Sequence, residues 1–503
     1  MKYLRAQRVR AATMDLRQRG APSLDDVRSR IRRQIETRIQ PILRGAKQTG
    51  PEDQAWYWAA PILLDLYHYP KAARDWLQQP NLVQIWAGDA DDQENGAEDR
   101  TQWDAHVNEA RKLLRPQYSL GRPPADLVEV LILLTLGGPG VLAQRALWRS
   151  VDRRDMPLPG LQKIKNLSIR GRAAQIAWHF RSLYNLPEAV ALLRSLPLRD
   201  ITDEHPYWRR VLAYNMIGCL QAVLDEFAHV LRESLGLLDA PPEVVAQQIA
   251  ATMGSALSLR TTTLGVDRVG VSPSGDHVQS DSLRLRSHFA LRFGEEKRDD
   301  GNGENRKEQV RTAFNSPFWP FVLATTSVGQ EGLDFHTYCH AIVHWNLPSN
   351  PVDLEQREGR IHRYKGHAVR KNLAEKYTLA HVHTIDADPW EVLFNVGQRR
   401  RPDHELDLVP YWVFPGSAKI ERHVPVLPLS RDNDRLDVLR RSLAVYRMVF
   451  GQNRQEDLLA YLLANMPAEQ IDKIARELSI SLEPPHAKHT ARRTNRTTVE
   501  EPE

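Results

Sequence analysis

Residues 321–367 read FVLATTSVGQEGLDFHTYCHAIVHWNLPSNPVDLEQREGRIHRYKGH, and their pattern decides the fold. Residues 321–324 are a short apolar run, which is typical of a strand buried on both faces. The polar loop after it contains Gly329 and Gly332, where the backbone can adopt positive φ and approach a ligand closely. Residues 340–345 predict a second buried strand. Two such strands joined through a glycine-rich loop are parts of an α/β nucleotide-phosphate site.

A helix rich in arginine follows the second strand. Asn350 is suited to cap this helix, and Pro351 is suited to its first position. If the helix continues through residue 363, Gln356, Arg360 and Arg363 fall at i, i+4 and i+7 and line one face. A planar guanidinium can stabilise the charge that spreads over the γ-phosphate oxygens as phosphoryl transfer proceeds. Such an arginine can raise the rate roughly a thousandfold or more.

These residues resemble motifs V and VI of superfamily 2 helicases and translocases, which belong to the second RecA-like lobe. Motif V corresponds to TSVGQEGLD at 326–334, and motif VI to QREGRIHR at 356–363. WNLPSNP at 345–351 resembles the lead into the motif VI helix. The resemblance is nearest to the bacterial Swi/Snf-type, RapA-like helicases of the DEAD/DEAH-box class. YKGH at 364–367 departs from that branch, which usually has Ile-Gly-Gln there.

The resemblance implies roles for nine residues. Three are implied as catalytic, four as nucleotide-binding and two as coupling the nucleotide to nucleic acid: Gln356, Arg360 and Arg363; Gly329, Glu331, Gly332 and Asp334; and Thr326 and Ser327. The arginines would be fingers that reach the γ-phosphate, and the glutamine would position that phosphate or the attacking water. The implied cofactor is ATP, with Mg²⁺ held mainly by the other lobe, and no metal site is expected in this chain.

The partner half of such a site is not recognisable in the sequence. A Walker A loop, G-x-x-x-x-G-K-[ST], holds the β- and γ-phosphates, and no such string occurs. GAKQTG at 45–50 has the right residue types in the wrong order. VLDEFAH at 223–229 is similar to a Walker B sequence, but the apolar residues around it recur at helical spacing. That spacing predicts that Asp225 and Glu226 are surface groups of a helix rather than ligands of Mg²⁺.

The composition excludes several classes of protein. The chain has 503 residues, 42% hydrophobic and 26% charged, which is ordinary for a soluble protein of two or three domains. It has no apolar run of membrane-spanning length and no recognisable signal peptide. Its two cysteines provide neither a disulfide framework nor a metal site. These features predict a cytoplasmic protein with no membrane partner.

The expected fold is an α/β RecA-like lobe, a parallel sheet flanked by helices, preceded and followed by mainly helical regions. Strands are predicted at 264–271 and 283–293, and a helix at 306–315. The Gly-Gly-Pro-Gly run at 137–140 predicts a turn between helices. The predicted domains are a basic segment, a mainly helical region, the helicase lobe, an extended and helical cap, and a disordered tail: 1–50, 51–250, 255–400, 401–484 and 485–503.

The basic segment at 1–50 has two interpretations of equal weight. Residues 1–50 contain 13 Lys and Arg against 4 Asp and Glu, which suits attraction to a nucleic-acid backbone. The other reading is a solvated amphipathic helix at 24–43.

The predicted function is that of the C-terminal half of a superfamily 2 DNA helicase or translocase, inactive alone and acting on double-stranded DNA. The first RecA-like lobe would lie on a separate chain, or would have been lost upstream of Met1. The alternative is a non-catalytic nucleic-acid or protein-binding module that retains the RecA-like fold.

Overall fold

The structure is a computed structural model, and it describes most of the chain with gaps. The described residues are 23–47, 49–80, 82, 96–115, 119–151, 167–198, 201–202, 204–258, 262–271, 278–287, 302–325, 334–377, 388–402, 408–425, 431–448, 460 and 463–478. The chain divides into two compact units, Met1–Ser258 with Val382–Val392, and Leu259–His381 with Leu393–Glu503.

The described elements are mostly helices. The helices are α1 Leu24–Arg44, α2 Trp56–His68, α3 Pro70–Leu77, α4 Gly96–Lys112, α5 Leu127–Gly137, α6 Pro139–Ser150, α7 Leu167–Tyr184, α8 Pro187–Ser195, α9 Tyr207–Ile217, α10 Leu220–Ser234, α11 Pro242–Leu257, α12 Asn302–Phe314, α13 Pro351–Gly359, α14 His367–Lys376, α15 Pro389–Arg399, α16 Asp432–Met448 and α17 Ala468–Leu478. The strands are β1 Thr262–Val271, β2 Val278–Ser287, β3 Ala341–Val343 and β4 Glu421–His423.

The first unit opens with the helix expected at 24–43. A capping box fixes its start, because the Asp26 amide donates to Ser23 Oγ at 3.1 Å and the Ser23 amide donates to Asp26 Oδ2 at 2.9 Å. Val27 is buried in a cluster with residues of α5 and α9, and Ile31 packs against that cluster. The amphipathic helix is therefore confirmed, and its apolar face is covered by other helices of the unit.

The turn expected at 137–140 separates α5 from α6. Gly137 ends α5, and a Cβ at that position would lie 2.1 Å from the carbonyl oxygen of Leu212 in α9. Only glycine permits this close approach of the two helices. None of the described helices is long and apolar enough to cross a membrane alone. By length and composition, α5 and α6 pass that test only as a pair bent by 43°.

Helix α10 corrects the placement of two acidic residues. Asp225 and Glu226 were expected at the surface, but they are only 1% and 3% exposed. The whole run Leu220–Leu231 is buried, because α6, α9 and α11 contact α10. Asp225 accepts a hydrogen bond from Gln221 Nε2 at 3.0 Å and forms an ion pair with Arg149. Burial of Asp225 is thus compensated by these polar partners.

The described strands of the second unit form two small pairs, one antiparallel and one parallel. β1 and β2 pair antiparallel, from Thr262 opposite Ser287 to Val271 opposite Val278. Their short connection permits antiparallel but not parallel pairing. β1 agrees with the strand expected at 264–271, whereas residues 288–293 of the other expected strand lie outside the described residues. The parallel pairing described is between the short strands β3 and β4.

The apolar run at 321–324 is not a buried strand. Phe321 and Val322 are 78% and 79% exposed, and no described strand pairs with them. Leu323 alone packs inward, against Val310 and Ala313 of α12. An apolar run becomes a central strand only where neighbouring strands satisfy its backbone groups, and the described residues provide none here. The strand predicted at 340–345 and the helix predicted after it are both present, as β3 and α13. However, β3 is shorter than predicted, and Val343 within it is exposed.

Candidate functional site: an arginine pair on Asp334

The Asp334 carboxylate lies close to two other residues of the expected site. Arg363 Nε donates a hydrogen bond to Asp334 Oδ1 at 3.1 Å. Arg360 Nη1 lies 3.8 Å from the same oxygen. The Asp334 side chain is 44% exposed, so this cluster of two guanidiniums and one carboxylate is open to solvent. A single carboxylate carrying two arginines leaves a net positive charge at an accessible position.

Backbone and side-chain hydrogen bonds hold the chain around Asp334. The Phe335 amide donates to the carbonyl oxygen of Arg360 at 2.8 Å. Asn315 Nδ2, at the end of α12, donates to the carbonyl oxygen of Asp334 at 2.7 Å. The His367 amide donates to the carbonyl oxygen of His336 at 2.9 Å. These bonds fix the segment that carries the carboxylate against the turn that carries the arginines.

The helix that leads to the arginines ends earlier than expected. Asn350 caps α13, since its Oδ1 accepts from the Val352 amide at 2.8 Å, as expected. The helix stops at Gly359, and Arg360 is its C-cap residue. Glycine is a poor helix former, and the chain turns there. Gln356 is exposed on α13, and no hydrogen bond among the described residues joins it to the arginine pair. The prediction that Gln356, Arg360 and Arg363 share one helical face is therefore wrong, although the turn still brings Arg360 and Arg363 together.

Two buried polar atoms beside Asp334 have no partner among the described residues. They are Arg360 Nε and His336 Nδ1. Native proteins leave few buried polar groups unsatisfied, and such groups are found at binding and catalytic sites. Burial lowers the pKa of His336, and the charges of Arg370 and Arg363 lower it further, against the opposing charge of Asp334. The imidazole is thus neutral at pH 7, and it does not add to the positive charge of the arginine pair.

Most of the expected motif V site lies outside the described residues. Thr326, Ser327, Gly329, Glu331 and Gly332 belong to that part of the chain. Their roles remain predictions.

The cluster lies in a segment of the chain that is similar to a known protein family. Residues 298–365 match the model of the helicase conserved C-terminal domain. This segment is therefore similar to the C-terminal domain of superfamily 2 helicases. The match implies a RecA-like fold for the segment. A stretch of 94 residues is 34% identical to an uncharacterised ATP-dependent helicase, YqhH, of Bacillus subtilis (strain 168), and covers 19% of this chain. The aligned stretch spans only 16% of that relative's length. No solved structure matches.

A buried acidic residue anchors helix α13 to the parallel strand pair of the second unit. The Glu358 side chain is 7% exposed and forms a two-point ion pair with Arg422 of β4. Glu358 Oε1 also lies 3.2 Å from His344 Nε2, directly after β3. Burial alone would raise the pKa of Glu358. The hydrogen bonds and charges of His344 and Arg422 outweigh that effect and lower the pKa below the ordinary 4.5.

Substituting Glu358→Gln is expected to destabilise the second unit by roughly 3 kcal/mol at pH 7, since it breaks a mostly buried ion pair. Because the pKa of Glu358 is lowered in the folded state, the stabilisation is complete above pH 4.5 and is lost as the pH falls through the lowered value. Denaturant unfolding at pH 7 and at successively lower pH measures this. The variant should lack that part of the pH dependence.

The control for this prediction is Glu421→Gln. Glu421 is an exposed neighbour in β4 whose side chain contacts only His423 among the described residues. Its loss is expected to change the free energy of unfolding by no more than about 0.5 kcal/mol. Equal stability of the Glu358→Gln variant and the wild type at pH 7 would show that the ion pair does not anchor α13.

An aromatic and cationic cluster supports the turn after Arg363. Lys365 has a left-handed backbone with φ 52°, and its amide donates to the carbonyl oxygen of Tyr411 at 2.7 Å. The Lys365 ammonium lies 4.5 Å from the centre of the Phe394 ring, a cation–π contact. The Tyr364 and Tyr411 rings stack at 5.7 Å. Residues 364–367, where the sequence departs from the Swi/Snf pattern, thus have a structural role in placing Arg363.

Sequence reasoning missed several of these residues. Tyr364 and Lys365 stand out in the sequence because they depart from the Swi/Snf pattern, but their partner Tyr411 is distant in sequence. No motif or residue spacing around Tyr411 indicates this contact. Asn315 was predicted to end a helix, and its hydrogen bond to Asp334 adds a second role. His336 follows motif V closely, and its position in the sequence is the only signal for it.

Proposed function

We propose that residues 298–365 supply the arginine half of an ATP site in a DNA helicase or translocase. Arg360 and Arg363 would be the arginine fingers of that site. The observation that carries the proposal is their convergence on the Asp334 carboxylate, within a segment that matches the helicase C-terminal domain. A carboxylate that holds two guanidiniums near each other also presents them to a stronger anion. The γ-phosphate would compete with Asp334 for them as negative charge develops.

The other residues of the proposed site follow from the motif resemblance. Gln356 would position the γ-phosphate or the attacking water from its exposed place on α13. Gly329, Glu331 and Gly332 would lie against the nucleotide. Thr326 and Ser327 would couple the nucleotide state to the backbone of double-stranded DNA. The Swi/Snf-type, RapA-like subclass is part of the same proposal.

The phosphate-binding half would come from a first RecA-like lobe that carries Walker A and B motifs, on another chain or another segment. Mg²⁺ would be held mainly there. Asp334 suits Mg²⁺ poorly, because both arginines already occupy the neighbourhood of its Oδ1. Mg²⁺ prefers several oxygen ligands in octahedral geometry, and these two cations would repel it.

A second candidate is a binding module that retains the RecA-like fold and hydrolyses nothing. The observation that favours it is the lack of a Walker A string in the sequence. In that case, the arginine pair would serve as an anion-binding surface for nucleic acid or for a protein.

ATP hydrolysis by the chain, alone and together with its Walker A lobe, separates these functions. We would purify the tagged chain from its own cells, with the lobe that accompanies it, and compare it with the isolated chain. We expect DNA-stimulated turnover by the complete enzyme, and turnover by the isolated chain no greater than that of its Arg363→Ala variant. Arg363-dependent turnover by the isolated chain would refute the shared site. A native assembly without any ATP turnover would favour the binding module.

A further inference from the structure

A cavity in the first unit has the properties of an anion site. It has a volume of about 370 Å³ and lies between α1, α5, α6, α9 and the start of α10. Its polar wall includes Arg30, Arg145 and Arg149. Its apolar wall includes Leu24, Ile31 and Leu142. The volume falls within the range of small-molecule sites, which is roughly 300–1,000 Å³.

The positive charges around this cavity exceed the negative charges that compensate them. Arg149 forms an ion pair with the buried Asp225. Arg145 Nη1 donates to the carbonyl oxygen of Thr135 at 2.6 Å, which is a neutral acceptor. Arg30 makes no ion pair or side-chain hydrogen bond within the described part of the chain. Within the described residues, three guanidiniums thus line the cavity, and one of them, that of Arg149, has a carboxylate as its ion-pair partner.

Two further features favour an anion in the cavity. Burial and the charge of Arg149 lower the pKa of Arg145 to about 10, so this guanidinium is still charged at pH 7 in a poorly hydrated place. Cys219, the N-cap residue of α10, lines the cavity. The N-terminus of α10, which is the positive end of the helix dipole, therefore borders the same space as the arginines.

We propose that this cavity binds a small organic phosphate. Guanidiniums and a helix N-terminus together match the charge and the several acceptor oxygens of a phosphate group. The apolar wall would hold the organic part of the same molecule, since burying it removes apolar surface from water. This site lies in the helical unit, and it is independent of the ATP site proposed for the helicase domain.

Isothermal titration calorimetry of the full chain with n-hexyl phosphate tests this site. Inorganic phosphate and n-hexanol represent the two halves of that probe. We expect hexyl phosphate to bind, and either half to bind at least tenfold more weakly. Arg30→Ala should weaken hexyl phosphate binding at least tenfold with little change in melting temperature, because Arg30 has no ion pair or side-chain hydrogen bond among the described residues. Arg33→Ala removes an exposed arginine of the same helix that does not line the cavity, and it should leave binding unchanged.

Three outcomes would overturn the proposal. These are no binding of hexyl phosphate, equal binding of hexyl phosphate and hexanol, and equal binding by the Arg30→Ala and Arg33→Ala variants. None of them bears on the arginine pair at Asp334. Failure of this site therefore leaves the proposed ATP site standing, and the reverse is also true.

Discussion

Arg363→Ala is expected to lower ATP turnover by the complete enzyme roughly a thousandfold or more, which corresponds to about 4 kcal/mol of transition-state stabilisation. The physical reason is that the guanidinium now on Asp334 would neutralise the charge developing on the γ-phosphate. Arg363 is 39% exposed and forms its described ion pair only with Asp334. Its removal should therefore change the melting temperature little. Steady-state hydrolysis at saturating DNA measures the effect.

Two companion variants sharpen this prediction. Arg363→Lys keeps the charge but loses the planar fork of donors, and it should recover only part of the rate. Arg440→Ala removes an exposed arginine of α16, paired at 3.7 Å with Asp437, and it should leave turnover unchanged. If Arg363→Ala hydrolyses ATP at the wild-type rate in the complete enzyme, Arg363 is not an arginine finger.

Gly137→Ala is expected to destabilise the first unit by about 3 kcal/mol or more. The new Cβ would lie 2.1 Å from the carbonyl oxygen of Leu212 and 2.9 Å from its carbonyl carbon. Both are backbone atoms of α9, so no side chain can move aside, and α5 and α9 must separate. Hydrogen exchange in peptides from these two helices measures the effect locally, and we expect much faster exchange there.

Gly140→Ala is the matched control, three residues further along the chain. Its Cβ would meet nothing closer than Ala177 Cβ at 3.5 Å, which is ordinary van der Waals contact. Alanine also favours a helix over glycine by roughly 0.5–1 kcal/mol. Gly140→Ala should therefore leave exchange in α5 and α9 unchanged or slower. Similar exchange in the two variants would refute a glycine-dependent contact at Gly137.

The sequence predicted the local features around Asp334 better than it predicted the strands. Asn350, Pro351 and the arginine spacing are local signals, because capping and turn formation depend on residues a few positions apart. They led to Arg360 and Arg363, which the structure brings to Asp334. The helical face assumed for Gln356 was wrong, since Gly359 ends α13 before the arginines.

Errors in the fold arose where distant neighbours decide the outcome. Phe321 and Val322 have the composition of a central strand, yet they are exposed because no described strand lies beside them. Asp225 looked like a surface group on an amphipathic helix, but Arg149 and Gln221 satisfy it in the interior. The sequence around each residue does not indicate which distant elements will cover it.

The central claim is that Arg360 and Arg363 contact the phosphate being transferred, and affinity for a transition-state analogue tests it most directly. We would measure the affinity of the complete enzyme for ADP–aluminium fluoride and for ADP alone, in the wild type and in the Arg363→Ala variant. We predict that the variant binds the analogue at least about a hundredfold more weakly and binds ADP equally well, because an arginine finger acts on the transition state. Equal affinity of wild type and variant for the analogue would contradict the account.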